Sequence, residues 1–213
     1  MRLNLFELLF LCQNKVICYY NKLKKSIYMK KIVLFASGNG SNAENIMAHF
    51  DKSSQGTVVG VFTNNLHAKV LDRAKKFNVP TFVFNKAELL EETVLNQLHE
   101  LQPDLIVLAG FLLKFPTHII NAFPDKVINI HPALLPNYGG KGMYGMHVHQ
   151  AVLNNNEKET GITVHYVNEH YDEGAFIFQQ SVNIESCTTV EEIAQKIHEL
   201  EMEHFPKVIA ELL

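Results

Sequence analysis

Within Val127-Ile-Asn-Ile-His-Pro-Ala-Leu-Leu-Pro136, an amide and an imidazole stand two residues apart, at Asn129 and His131. Side chains alternate along a strand, so at a strand end the two point to the same side. A fixed hydrogen-bond donor therefore lies beside the one side chain whose ordinary pKa is near neutral. Asp172, in Tyr171-Asp-Glu-Gly174, follows His131 by 41 residues and supplies a carboxylate. Such a trio suits acyl transfer, in which donors hold an oxyanion while a proton moves. Each residue also has a plain structural alternative. Asn129 and His131 could satisfy loop backbone groups, and an acid ahead of a glycine is commonly a turn former.

A second candidate is Ser37-Gly-Asn-Gly-Ser-Asn42, between an apolar run and a helical pattern. Glycines let backbone approach a ligand, and N–H groups at a helix start favour an anion. The segment lacks the Lys-Ser/Thr ending of a Walker loop and does not complete G-x-G-x-x-G. Its alternative is a tight turn with Ser41 or Asn42 as helix cap. Phe111 to Phe115 is apolar apart from Lys114, and reads equally as the wall of a flat ligand or as core. His165 on a strand reads at least as well as a core histidine. Glu201, between Glu199 and Glu203, reads as part of a solvated helix face. The 11 histidines offer no pair at helical ligand spacing with a third ligand nearby, so no metal is expected.

The elements that position these residues alternate. Apolar runs at 32–36 and 105–109 suit strands buried on both faces. Further strands are expected at 57–62, 80–84 and 127–130, with helices at 42–50, 68–77, 87–101 and 118–123. This rhythm predicts an α/β fold with a doubly wound, mostly parallel sheet. Ligands in that fold sit beyond the carboxyl ends of strands, where 37–41, 110–111 and 129–131 all fall. After residue 136 come a Gly-rich loop at 137–145, a helix at 147–155, and strands at 160–167 and 176–184. Thr188-Thr-Val-Glu191 reads as a capping box for a C-terminal helix that Pro206 should kink or interrupt.

At 213 residues and 47% apolar the chain is long enough for a sizeable core. Its formal charge of −3 is uneven: residues 1–28 carry five Lys/Arg against one acid, leaving the remainder at −7. That balance argues against a nucleic-acid partner. Three scattered cysteines form no disulfide framework and point to a reducing cytoplasm. The apolar stretch at 3–12 is far too short to span a membrane. Residues 1–28 read as an extension ahead of the domain, a mis-called start or a disordered arm, since Met29 leads directly into the first strand. A single domain is expected over 29–213, with a phosphate-binding half (29–128) and a catalytic half (129–213).

These segments together resemble the phosphoribosylglycinamide formyltransferases. The resemblance covers nearly all of 29–213. It is carried by 37–42, by Leu108-Ala-Gly-Phe111, by 128–136, by Gly161-Ile-Thr-Val-His165 and by Tyr171-Asp-Glu-Gly174. It implies a Rossmann-like formyltransferase fold and formyl transfer from 10-formyltetrahydrofolate to the amine of 5-phosphoribosylglycinamide. It implies that Gly40, Ser41 and Asn42 hold the phosphate, that Glu201 approaches the glycinamide amine, and that Asn129, His131 and Asp172 are catalytic. Lys86, Leu112, Leu113, Lys114, Phe115, Asn129 and Val167 would line the folate site. Many relatives carry arginine where Leu113 stands, and the loop at 139–145 is longer than in many. In the implied mechanism Asn129 and protonated His131 stabilise the oxyanion, while Asp172 raises the His131 pKa and relays a proton. Partners would be these small molecules alone, with no membrane and a monomeric or homodimeric chain. Sister enzymes acting on tRNA or sugar nucleotides share the trio but differ in added domains or in the phosphate loop.

Overall fold

A computed structural model describes residues 29–213; the reading of residues 1–28 lies outside them. Seven strands form one sheet in the order β3-β2-β1-β4-β5-β6-β7. They are β1 (Lys30–Phe35), β2 (Gly56–Thr63), β3 (Thr81–Val83), β4 (Leu105–Leu108), β5 (Val127–His131), β6 (Glu159–Tyr166) and β7 (Phe176–Asn183). The first five are parallel, and β5–β6 and β6–β7 pair antiparallel. The helices are α1 (Ser41–Asp51), α2 (Val70–Lys76), α3 (Lys86–Leu90), α4 (Glu92–Leu101), α5 (Thr117–Ala122), α6 (Met146–Asn154) and α7 (Val190–Leu212). None of them is long and apolar enough to cross a membrane.

Alternate residues of the central strands feed two apolar layers. Ile32, Leu34 and Val107 pack with α1 and α7 residues such as Ile46, Ile197 and Phe205. Val33, Phe35, Ile106 and Leu108 pack on the other side with Leu98, Phe115 and Ile119. Burial on both faces explains why β1 from Ile32 onward and all of β4 are uninterrupted apolar runs. The chain reverses its direction of winding between β1 and β4, which opens a crevice at their carboxyl ends. Two hydrogen bonds tie that crevice together: Ser37 N–H to the Gly110 carbonyl at 3.0 Å, and Leu112 N–H to Ser37 Oγ at 2.9 Å.

Three expectations need correction. The helix foreseen at 87–101 is two helices, because Glu91 between them is extended. The C-terminal capping box is one residue later than expected: Thr189 is the cap and Glu192 answers it. Finally, Pro206 does not interrupt α7, which runs from Val190 to Leu212 with that proline buried inside it. A proline removes the hydrogen bond to the carbonyl four residues back, here Met202. Asn45 of α1 replaces it, donating from Nδ2 to the Met202 oxygen at 2.7 Å.

Candidate active site

β5 carries Asn129 and His131 to the edge where the sheet turns from parallel to antiparallel, and there the two meet β6. Asn129 is registered opposite His165, and His131 opposite Thr163. The Asn129 amide nitrogen lies 3.2 Å from His165 Nε2. The other nitrogen of that ring, Nδ1, is 2.8 Å from the Tyr166 carbonyl, which can only accept. The Tyr166 carbonyl assigns a proton to His165 Nδ1, while Nε2 faces the Asn129 amide. A carboxamide has two N–H groups, so the second remains for a ligand.

Asp172 arrives from the β6–β7 connection. That connection closes tightly because Gly174 has no side chain: a Cβ there would stand 1.7 Å from the Tyr166 carbonyl oxygen. Asp172 then lies between two imidazoles, its oxygens 3.6 Å from His131 Nδ1 and 3.6 Å from His165 Nε2. It also accepts the Gly140 N–H at 2.9 Å. His131 Nε2 is 2.8 Å from the Tyr138 carbonyl oxygen and must be the donor. The trio therefore converges, with His165 as a fourth member.

Burial is the largest influence on both titrating partners. It pulls the His131 imidazole below its ordinary pKa, against the Asp172 carboxylate and the Tyr138 carbonyl, which favour the protonated ring. The expectation of a raised His131 pKa is thereby corrected: the Asp172 effect has the expected sign, but desolvation outweighs it. Burial alone would raise the Asp172 carboxyl. The His165 side chain, the His131 charge and the Gly140 N–H outweigh it and hold that carboxyl below the usual range. The site is thus poised around a stable carboxylate and an imidazole reluctant to stay charged.

Across the crevice, Gly40 starts α1 in a left-handed conformation (φ 71°), with no side-chain cap. Alanine would not fit there, since its Cβ would meet the Val70 side chain at 2.5 Å. The alternative of Ser41 or Asn42 as helix cap is therefore not adopted. The first intrahelical bond runs from Glu44 N–H to the Gly40 carbonyl, leaving the N–H groups of Ser41, Asn42 and Ala43 without intrahelical acceptors. An uncapped helix start of this kind suits an anion. Arg73 braces the loop by donating to the Asn39 carbonyl (2.7 Å) and side chain (3.0 Å), and it pairs with Glu44.

Glu201 is not on a solvated face. Its side chain is 14% exposed and accepts from Asn42 Nδ2 at 2.9 Å, joining α7 to the start of α1. Two buried polar atoms beside it, Asn42 Oδ1 and His149 Nδ1, have no protein partner. Glu201 favours and His131 opposes charge on His149, while burial lowers its pKa most. Glu201 and His131 thus act on one shared side chain.

Among the apolar candidates, Leu112 is exposed and Leu113 half-buried against the core. Phe115 is core, 5.1 Å from Phe35 in an edge-on contact, so packing rather than ligand lining accounts for it. Lys114 Nζ sits 5.7 Å from the centre of the Tyr171 ring, linking the segment after β4 to the Asp172 loop. Val167 is half-buried and donates its N–H to the Val127 carbonyl. Lys86 opens α3 beyond β3, at the far edge of the sheet, exposed and outside the catalytic cluster. Sequence reasoning undervalued His165 and missed Tyr138 and His149. The cross-strand placement of His165 opposite Asn129 was the available signal, but it needs the β5–β6 register.

A family described as formyl transferase matches residues 30–209. The phosphoribosylglycinamide formyltransferase of Bacillus subtilis is 38% identical over 192 residues, covering 87% of this chain and 95% of that protein. A chloroplastic phosphoribosylglycinamide formyltransferase of Arabidopsis thaliana is 37% identical, over 84% of this chain and 64% of that longer protein. The crystal structure of glycinamide ribonucleotide transformylase 1 from Geobacillus kaustophilus superposes with a TM-score of 0.79 at 34% identity, covering 87% of this chain and 99% of that one. With its sheet, its converging Asn129, His131 and Asp172, and these relatives, the chain belongs to the phosphoribosylglycinamide formyltransferases of the formyl transferase family.

Proposed function

We propose that this chain transfers the formyl group of 10-formyltetrahydrofolate to the amine of 5-phosphoribosylglycinamide, in the cytoplasm. The observation that carries the reading is Asp172 within 3.6 Å of both His131 and His165, with Asn129 bonded to the latter. The uncapped start of α1 at Gly40, Ser41 and Asn42 receives the phosphate. Glu201 and the unpartnered atoms of Asn42 and His149 receive polar groups of the same substrate. The folate lies along Leu112, Leu113, Lys114, Tyr171 and Val167, with Phe115 supporting that wall from the core and Lys86 at its outer reach.

The neutral amine attacks the formyl carbon, and the bond from that carbon to the folate nitrogen breaks. The free N–H of Asn129 and the Nδ1–H of protonated His131 hold the developing oxyanion. One such donor is typically worth about 3–4 kcal/mol of barrier. The 3.6 Å separation between Nδ1 and Asp172 is longer than a hydrogen bond, so Nδ1–H is not committed to that carboxylate and serves the oxyanion. Asp172 keeps the charge of His131 accessible despite burial. Through a water, it passes the proton lost by the amine to the departing folate nitrogen. No covalent enzyme intermediate is required, and adjoining sites lower the entropic barrier.

The test is to mix the full chain with glycinamide ribonucleotide and 10-formyltetrahydrofolate and follow the folate absorbance. Deformylation that requires the ribonucleotide is the expected result. Deformylation without it would make the chain a hydrolase, and its absence with both substrates present would overturn the reading.

A further inference from the structure

Tyr138 lies in the loop between β5 and α6, far from either end of a regular element, yet both of its ends are held. Its backbone is left-handed (φ 58°), a conformation unfavourable for a bulky side chain. Its hydroxyl donates to Glu157 Oε1 at 2.5 Å and accepts from Asn155 Nδ2 at 2.8 Å, both in the turn between α6 and β6. Burial and the Glu157 carboxylate keep that hydroxyl protonated. Its carbonyl accepts the His131 Nε2–H, and two residues on the Gly140 N–H reaches Asp172. One short segment, 138–140, therefore touches both members of the catalytic pair through its main chain, and a phenol anchors that segment to the scaffold.

We propose that Tyr138 is a positioning residue whose hydroxyl anchor to Asn155 and Glu157 fixes the carbonyl that orients His131 and the amide that orients Asp172. The proposal rests on the catalytic assignment of that pair. A carbonyl at Nε2 leaves only Nδ1 to serve the reacting atoms, and so selects which edge of the ring faces the substrate. It also favours the protonated ring. The other groups acting on His131 are Asp172 from the β6–β7 loop, His165 from β6, His149 from α6 and Glu201 from α7. All of these are retained when the anchor alone is removed.

The experiment compares the wild-type full chain with Tyr138→Phe, which keeps the ring and loses both anchoring hydrogen bonds. The His131 ring is titrated by NMR without substrates, and kcat and KM are measured across pH. In Tyr138→Phe the His131 titration should move to lower pH, and kcat should fall roughly five- to tenfold, the span of one or two lost hydrogen bonds. KM for both substrates should change less than about twofold, since no substrate contact is removed. Glu157→Gln, whose side chain still accepts from the hydroxyl, should retain most of the activity. A Tyr138→Phe chain with lower thermal stability but an unmoved His131 titration and kcat would overturn the proposal. The NMR titration reads the Tyr138 contact without turnover. Full activity in His131→Ala would instead overturn the catalytic assignment.

Discussion

The chemistry proposed for the site rests on which buried side chains are made to face one another. Asn129 and His131 are set by strand alternation, which is why their spacing could be read from sequence; His165 and Tyr138 enter through pairing register and a loop carbonyl, which a linear pattern does not encode. If Asn129 and His131 are the oxyanion donors, Asn129→Ala and His131→Ala should each lower kcat about 10²–10³-fold, as removal of such a donor does. Circular dichroism melts on the same samples must show the fold retained, and wild-type turnover from either variant would remove it from the mechanism. The same burial has a consequence for stability. His131 and His149 both have pKa values below the ordinary 6.5 in the folded chain. Each then binds protons more readily when unfolded, so stability falls as pH drops below the unfolded pKa of about 6.5. His198 works in the opposite sense. Its pKa is raised through the Glu201 carboxylate, so its contribution is present below about 6.5 and fades as pH rises through its folded value, although solvent screens it. Urea midpoints should accordingly fall between pH 7 and 5, and fall less in His149→Gln. An unaltered pH slope in that variant would mean that His149 is not held neutral by burial.

At the level of elements, α7 behaves contrary to its sequence. Pro206 predicts a broken helix, and the periodicity of α7 alone offers no reason to expect otherwise. The missing donor is supplied from α1, whose Asn45 reaches the Met202 carbonyl, adjacent to Glu201, which in turn accepts from Asn42. Asn42 and Asn45 lie three apart on one face of α1, so two hydrogen bonds lock the residues proposed for phosphate and for amine into one frame. Local patterns located both helices and, for α7, the capping box to within one residue. A compensation spanning 157 positions is tertiary and could not be read from them. Asn45→Ala should cost about 1 kcal/mol for the lost bond, and up to about 3 kcal/mol if the carbonyl stays buried and unpaired. KM for the ribonucleotide should rise while kcat changes less, because Glu201 loses its support and the catalytic pair does not. Urea melts and steady-state kinetics check the two halves separately; a loss of kcat at constant KM would contradict this division of labour.

For the whole molecule, the decisive feature is that the sheet changes character where the chemistry sits. β1 to β5 are parallel and end together at the crevice, while β6 runs back beside β5 with His165, and the connection from β6 to β7 brings Asp172. The βα rhythm announced the parallel part, and its apolar strands were legible because both faces are buried. The strand order was not, because nothing in the rhythm says which edge the returning pair will join. The proposed substrate site consequently has contributions from the start of α1, the end of β5, the β6–β7 loop and α7, elements with large separations in sequence. A ligand that touches all of them binds only the folded chain, and so must stabilise it. At a ribonucleotide concentration 100 times its Kd the gain is about 2.7 kcal/mol. For a chain of this length each kcal/mol moves the Tm by roughly 2–4 °C, so a rise of about 5–10 °C is expected. Ribose 5-phosphate, which keeps the phosphate but lacks the amine, should give a smaller shift at equal concentration, and Glu201→Ala should bring the ribonucleotide shift down toward it. Equal shifts from the two ligands in the unaltered chain would mean that phosphate alone is recognised, and would remove Glu201 from the amine-binding role.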